Sequence, residues 1–375
     1  MHIPEIQNTQ LHAFQYHSTL NPTKPMPISS LPQKRSALHR RLRQETFAQK
    51  NLPFLSASSN PGIERRAVVD VGSGGTKVCI ADVNTLTNEI VEVLFQTSFS
   101  VKYQASLEES EDQAFGEEIQ EKGLEVFREI NELLASYGVD KKYAIATEAF
   151  RKSVNGQKFP ERIFAETGIN VQIIPQEQEG ILAFYSALAN NPDLVPDDVL
   201  AWDIGTGSFQ MTIEDEMEMS VFMGDVGSIP FRNYILEIVQ GKELSDDAYI
   251  HPMTEEEWAM ADSYARSLAR TAFPNIKEKI KLFEGKVLGI GRLFFNSIKP
   301  LAVNADRITR KDLRSYIRET LSKTPQELFD DPYATVDLSN AILVLGFMKA
   351  LHIHEVCPLD TTSTAGMLTY PEYWV

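Results

Sequence analysis

The chain has 375 residues, 43% of them apolar, which is enough for two sizeable cores. Its net charge of −16 is uneven: residues 1–66 carry nine Lys and Arg against three acids, so the remainder carries −22. A body this acidic argues against broad nucleic-acid binding, and a polyanionic ligand must arrive with a counter-cation or enter a locally basic cleft. The two cysteines, Cys79 and Cys357, sit in apolar strand-like runs without any CxxC spacing, which predicts inert thiols rather than a disulfide framework. No apolar run reaches ~18 residues, so no membrane-spanning helix is expected.

In chain order, residues 1–66 are rich in Pro, Ser, Asn and Gln, with one basic helical stretch at 36–50, and read as an extended or disordered arm. The arm is either an ordinary tail or a targeting or export segment; the body is expected to be cytoplasmic. A first α/β domain is expected over 67–193, with strands at 67–71, 77–83 and 89–97 and an amphipathic helix at 112–136 whose outer face is acidic. A strand at 143–147, a helix at 157–167, a strand at 171–174 and a helix at 177–190 follow. Asn190 to Asp193 and Pro196 to Asp198 mark a hinge. The second domain, 194–375, opens the same way, with strands at 199–203, 208–213 and 217–223, then helices to about 285. A strand at 286–290, helices at 309–322 and 338–351 and a strand at 353–357 complete it. Strands followed by alternating strands and helices, in duplicate, predict a two-lobed α/β architecture.

Both openings carry one phrase: an apolar run, then Asp, then a Gly/Ser/Thr turn, then a second run of strand formers. The first is Val68 to Thr76 and the second Leu200 to Ser208, with Asp70 and Asp203 in matching places 133 residues apart. Successive N–H groups in such turns form anion-binding nests, so Gly72, Ser73, Gly74, Gly75 and Thr76, with Gly205, Thr206, Gly207 and Ser208, are candidate phosphate ligands. Asp70 and Asp203 either hold a hydrated metal ion, Mg²⁺ being the candidate, or cap their own turns. Arg151 either grips phosphate oxygens through its planar fork or forms a surface pair with Glu148. Glu177 and Glu179, in the first turn of a helix, complement its dipole or serve chemistry. Four of the seven histidines lie in the arm, and no zinc spacing or Ser-His-Asp order is visible.

The hairpin pair, Ala146-Thr147-Glu148-Ala149-Phe150-Arg151, Ile173 to Gly180 and Val336 to Leu351 together resemble the exopolyphosphatase/guanosine pentaphosphate phosphohydrolase (Ppx/GppA) family over roughly residues 67–370. The resemblance implies two duplicated RNase H-like, actin-like ATPase domains flanking a cleft. It also implies Mg²⁺-assisted hydrolysis of terminal phosphoanhydride bonds, with inorganic polyphosphate or guanosine pentaphosphate as the substrate class. It singles out Glu179 as the catalytic carboxylate and puts Arg151 on the family's motif Arg position, as a second catalytic residue that grips phosphate. Departures from the family pattern are Gly74-Gly75 for Asn-Ser, Ile181 for Arg, Thr206 for Gly, and Gly289-Ile290-Gly291-Arg292-Leu293 for a GASGT-like segment. A basic C-terminal signature survives only as Asp360 and Gly366, with Thr361, Thr362 and Thr364 in place of the basic residues. Two rivals stay open: a phosphotransferase of the same superfamily that binds a nucleoside near Gly289–Gly291, and a non-catalytic phosphate-ligand sensor. Oligomeric state is open, a homodimer included.

Overall fold

The computed structural model describes residues 62–189, 191, 193–245, 248–282, 286–304, 306–328 and 333–375. The arm expected over 1–66 therefore lies outside the described residues up to 61, as do 190 and 192 of the expected hinge. The described residues belong to one compact unit.

The first sheet takes its strands from β1 (Ile63–Gly72), β2 (Gly75–Asn84), β3 (Ile90–Ser100), β4 (Lys141–Ala146) and β5 (Val171–Ile173), in the order β3-β2-β1-β4-β5. The second uses β6 (Leu200–Ile204), β7 (Phe209–Asp215), β8 (Glu218–Gly224), β9 (Val287–Ile290), β10 (Ile308–Thr309) and β11 (Glu355–Pro358). Its order, β10-β11-β9-β6-β7-β8, read from the β8 side, repeats the first: an antiparallel meander, then two parallel strands. Among the described residues only β10 is extra, a two-residue strand antiparallel to β11; the sequence reading took its Thr309 as the start of a helix. The short turn between β7 and β8 puts Glu216 and Met217 at φ 52 and 67, the left-handed pair that two-residue hairpins use.

The helices are α1 (Tyr103–Glu108), α2 (Glu117–Ser136), α3 (Glu148–Lys152), α4 (Lys158–Thr167), α5 (Gln176–Ala189), α6 (Ser228–Tyr234), α7 (Glu255–Arg270), α8 (Pro274–Leu282), α9 (Arg310–Thr320), α10 (Asp337–Ala350) and α11 (Ser363–Thr369). The single helix expected over 112–136 is thus α2 alone, its start delayed to Glu117. Leu124, Phe127, Ile130 and Leu134 form its buried stripe against the first sheet. Helix α10 is buried on nearly every side, as its apolar circumference requires, and it packs on the outer face of the second sheet with Trp202, Phe209 and Met211.

Between the sheets lies α5. Its Leu182 packs with Val68 and Ile145 of the first sheet, while Ala183, Phe184 and Ala187 meet Ala201 and Leu288 of the second. Helix α11 crosses α5 so closely that a Cβ at Gly366 would overlap the Leu182 carbonyl oxygen, and the Gly366 N–H donates to Ser186 Oγ at 2.8 Å. Met367, Leu368, Tyr370 and Trp374 then cover the inner face of β1 and β2. Arg66 stacks over the Trp374 ring at 4.6 Å and donates to the Leu368 carbonyl at 3.0 Å.

Candidate active site

The two Asp-plus-turn phrases meet. The β1–β2 hairpin closes with the pairing of Gly72 and Gly75, so Ser73 and Gly74 are its tip. The β6–β7 connection is the loop 205–208, closed by the Gly205 N–H to the Ser208 carbonyl at 2.8 Å. A Cβ on Gly74 would stand 3.7 Å from Thr206 Oγ1, which puts the tips in van der Waals reach. Around them opens a cleft of about 470 Å³.

The second turn is held from behind. The N–H groups of Gly227, Ser228 and Ile229 donate to the carbonyls of Gly207, Gly205 and Thr206 at 2.8, 3.0 and 2.9 Å. Because each trans peptide is planar, the amides of Thr206, Gly207 and Ser208 point away from that segment. Three N–H groups on residues that line the cleft thus face away from their support and are candidate anion donors.

Charge is concentrated at the cleft floor. Asp70 Oδ2 accepts from Lys77 Nζ at 2.9 Å and from the Ser363 hydroxyl at the start of α11. Burial alone would lower the Lys77 pKa; the Asp70 carboxylate, with Asp203 adding to it, leaves it raised. Burial, with Asp70 adding to it, pushes Asp203 up to about 6 against the lowering influence of Lys77. Burial also pushes Glu179 up to about 8, although Arg151 pairs with it directly. Asp70 and Asp203 thus crowd negative charge into one desolvated space, beside a Glu179 that keeps its proton up to about 8.

That crowding bears on a metal. Among the described residues, no three His, Cys, Asp or Glu side chains converge as a cage. Mg²⁺ needs fewer: one or two carboxylates suffice when water and phosphate supply the rest. Asp70 and Asp203 both line the cleft and carry the repulsion a dication would relieve, so they fit that role.

Most of the residues singled out from sequence line the cleft: Asp70, Gly72, Ser73, Gly74, Gly75, Glu179, Asp203, Gly205, Thr206, Gly207 and Ser208. Thr76 does not. Strand alternation turns it to the opposite face of β2, where it is fully buried beside Tyr103. Arg151 is not at a strand end but in the short helix α3, and it is not among the cleft-lining residues. Its Nη1 is spent on Glu179 and on the Ile174 carbonyl at 2.7 Å. The alternative reading of Arg151, a surface pair with Glu148, is absent among the described contacts: Glu148 instead pairs with Lys152, one helical turn on.

Glu148 is the residue that the sequence reading undervalued. It is buried, lines the cleft, and its carboxylate lies flush against Gly207, where a Cβ would overlap Oε2. The available signal was its setting: a carboxylate between the apolar runs Ala144–Ala146 and Ala149–Phe150 cannot sit on an open surface. The Gly289–Gly291 segment serves packing. A Cβ at Gly289 would meet the Phe294 ring at 2.5 Å, and Gly291, at φ 86, lets the chain pass Asp203. Cys79 is buried, and burial pushes its thiol up to about 12, as an inert cysteine requires. Among the described residues, no helix is long and apolar enough to cross a membrane.

Comparison with known proteins extends the geometry. The chain is similar to a bifunctional 3-dehydroquinate synthase/phosphatase of Fusobacterium nucleatum, 25% identical over 169 residues, which are 43% of this chain and 25% of that protein. The chain thus spans about a quarter of that relative's length. In structure it is similar to the PPX-GPPA enzyme of Aquifex aeolicus, with a TM-score of 0.65, 18% identity, and coverage of 82% of this chain and 99% of that one. An exopolyphosphatase of Cytophaga hutchinsonii gives 0.62 at 18% identity, covering 83% and 98%. These likenesses establish the two-domain actin-like fold. The profile of the Ppx/GppA phosphatase family matches residues 79–370, and the chain belongs to that family.

Proposed function

We propose that the chain hydrolyses the terminal phosphoanhydride bond of inorganic polyphosphate or guanosine pentaphosphate, with Mg²⁺ beside Asp70 and Asp203. The observation that carries this reading is the pair of turns in contact reach, one with three amides aligned away from its support. Phosphoryl transfer asks little covalent chemistry of a protein and much electrostatic placement. The terminal phosphoryl group sits between the turns, where fixed amide dipoles stabilise charge on its oxygens without reorganising. The Lys77 ammonium adds a cation at the same point. A water oxygen attacks phosphorus, the bridging P–O bond breaks, and the electron pair leaves with the shortened phosphate chain. The water's proton passes to a cleft carboxylate, Glu179 or Glu148, and orthophosphate departs. Bound Mg²⁺ would neutralise charge on the phosphates.

Phosphate release with Mg²⁺ across polyphosphates, guanosine pentaphosphate and nucleoside triphosphates tests the proposal. Release from at least one phosphoanhydride, lost in Asp203→Ala, supports it. Transfer to a non-water acceptor would favour the phosphotransferase, and binding without turnover the sensor.

A further inference from the structure

The segment that supports the second turn is itself held. Its N–H groups, from Gly227, Ser228 and Ile229, carry the turn's carbonyls, and a Cβ at Gly227 would meet Gly205 O and Ser208 N at 2.6 Å, so no slack separates the two. A shift of residues 227–229 therefore becomes a shift of the turn's amides. The side chain of Ser228, the first residue of α6, ties the segment to the core. Its hydroxyl donates to Asn340 Oδ1 at 2.7 Å, and Asn340 Nδ2 donates to Ser297 Oγ at 3.0 Å. Ser297 in turn donates to the Asp337 carboxylate.

The order of donors follows from the last member. An ionised carboxylate only accepts, so Ser297 gives it the hydroxyl proton and keeps an oxygen that accepts from Asn340 Nδ2. That sets the orientation of the Asn340 amide and leaves its Oδ1 for Ser228. Asp337 and Asn340, at i and i+3 on α10, bracket Ser297, which stands on a wide π-type turn, residues Leu293–Ile298, after β9. Asp337, Ser297 and Asn340 are buried, on elements whose other buried residues are mostly apolar. Stability does not ask for such a chain, since apolar groups of the same shape in place of bonded polar pairs can be nearly neutral. A fully bonded buried chain does hold its members in one arrangement. Ser228, Ser297 and Asn340 line the cleft, whereas Asp337 is not among the cleft-lining residues.

We propose that Asp337 is a positioning residue for the second turn, acting through Ser297, Asn340 and Ser228. Its carboxylate orders the chain that holds residues 227–229, and those residues hold the turn. The amides of Thr206, Gly207 and Ser208 then meet the charge developing on a transferring phosphoryl group without first reorganising. A turn free to drift still binds a ground-state phosphate by small adjustments. It loses alignment in the transition state, where a misplacement of about 1 Å can cost on the order of 10²-fold in rate. The inference rests on the phosphate role given to the second turn above, and goes beyond it by placing a determinant of rate outside the cleft.

Steady-state phosphate release by the full chain tests it, together with titrations of inorganic phosphate and of orthovanadate, a mimic of the phosphoryl group in transfer. Asp337→Ala should lower kcat about 10- to 100-fold with KM held within about twofold. It should weaken orthovanadate by a similar factor and leave inorganic phosphate nearly unchanged. Asp337→Asn, whose Oδ1 still accepts from Ser297, should keep most of the wild-type rate. Ser228→Ala breaks the same chain at its other end, so the double variant with Asp337→Ala should lose no more than the larger single loss. Melting curves show which variants fold; where Asp337→Ala does not, Asn340→Leu, close in volume, takes its place. Wild-type kcat and orthovanadate affinity in a folded Asp337→Ala chain overturn the proposal. Equal losses in Asp337→Asn and Asp337→Ala, or multiplicative losses in the double variant, overturn it too. If no phosphoanhydride is hydrolysed, the hydrolase reading fails, and the orthovanadate titrations of the same variants decide the positioning role alone.

Discussion

Replacing Gly207 by Ala would test the placement of Glu148 without touching its side chain. None of Gly74, Gly205, Gly207 and Gly227 has a left-handed φ, so an added Cβ acts through space alone. At Gly207 it would overlap Glu148 Oε2 and lie 2.5 Å from Cδ, where ordinary contact begins at 3.4 Å. The carboxylate must therefore move by about 1 Å, a misplacement that can cost on the order of 10²-fold in rate when the group takes part in chemistry. The stability cost should sit near the lower end of about 1–3 kcal/mol, because the obstacle is the end of a side chain. At Gly227 the obstacles are backbone, Gly205 O and Ser208 N both at 2.6 Å, and Ala there should cost at the upper end of that range or beyond. Gly205 and Gly74 meet nothing closer than 3.6 and 3.7 Å, and their Ala variants should change stability by about 0.5 kcal/mol or less. The assay is chemical denaturation of all four variants, with phosphate-release kinetics for Gly207→Ala and a repeat of that substitution in a Glu148→Ala background. The stability penalty should vanish in that background, since its cause is gone. An equal penalty with and without Glu148, or wild-type turnover in Gly207→Ala, would refute the reasoning.

Glu179→Gln should bind ligand but turn over about 10² to 10⁴ times more slowly if Glu179 takes the proton. With its pKa pushed up to about 8, the ionised base is present above that value, so wild-type kcat/KM should climb from pH 7 to 9 and the Gln variant should lack that limb. Stability runs the other way. The folded chain keeps a proton that the unfolded chain releases between 4.5 and about 8, so this group's contribution is full below 4.5 and lost as pH rises through 8. Denaturation of Glu179→Gln across that window should show a flatter pH slope. Asp70→Ala and Asp203→Ala should each reduce Mg²⁺-dependent turnover strongly, and the double variant should lose less than the product; strictly multiplicative losses would mean separate ligands for the two turns. Trp374→Ala should cost about 3–5 kcal/mol in denaturation, because it removes a buried ring, the Arg66 stack and a 2.8 Å hydrogen bond to the Met367 carbonyl.

The repeated Asp-plus-turn phrase was legible because both its parts are local. Strand alternation and glycine chemistry act within a few residues, and the contact of the two turns followed from their duplication. What escaped depends on long-range burial. Thr76 belongs to the motif in sequence, yet the two-residue period of β2 turns it away from the cleft. Arg151 was read as a phosphate grip, with a pair to Glu148 as the alternative, whereas the fold turns it onto Glu179 at the start of α5. Helix α11 gave no periodic signal, since seven residues are too few to show one, and its meaning lies wholly in what it covers.

That late segment has a consequence for synthesis. The inner face of β1 and β2, with Val68, Cys79, Ala81 and Val83, is covered by residues about 300 positions downstream, and the same segment brings Ser363 to Asp70. A ribosome adds roughly 5–20 residues per second. The first sheet therefore emerges well before its cover and carries an exposed apolar face in the interval. The hydroxyl on Asp70 arrives only with that final stretch. A chain stalled before residue 363 would hold both turns but leave the floor of the cleft unfinished, and its bare sheet face would be the natural place for a chaperone to bind.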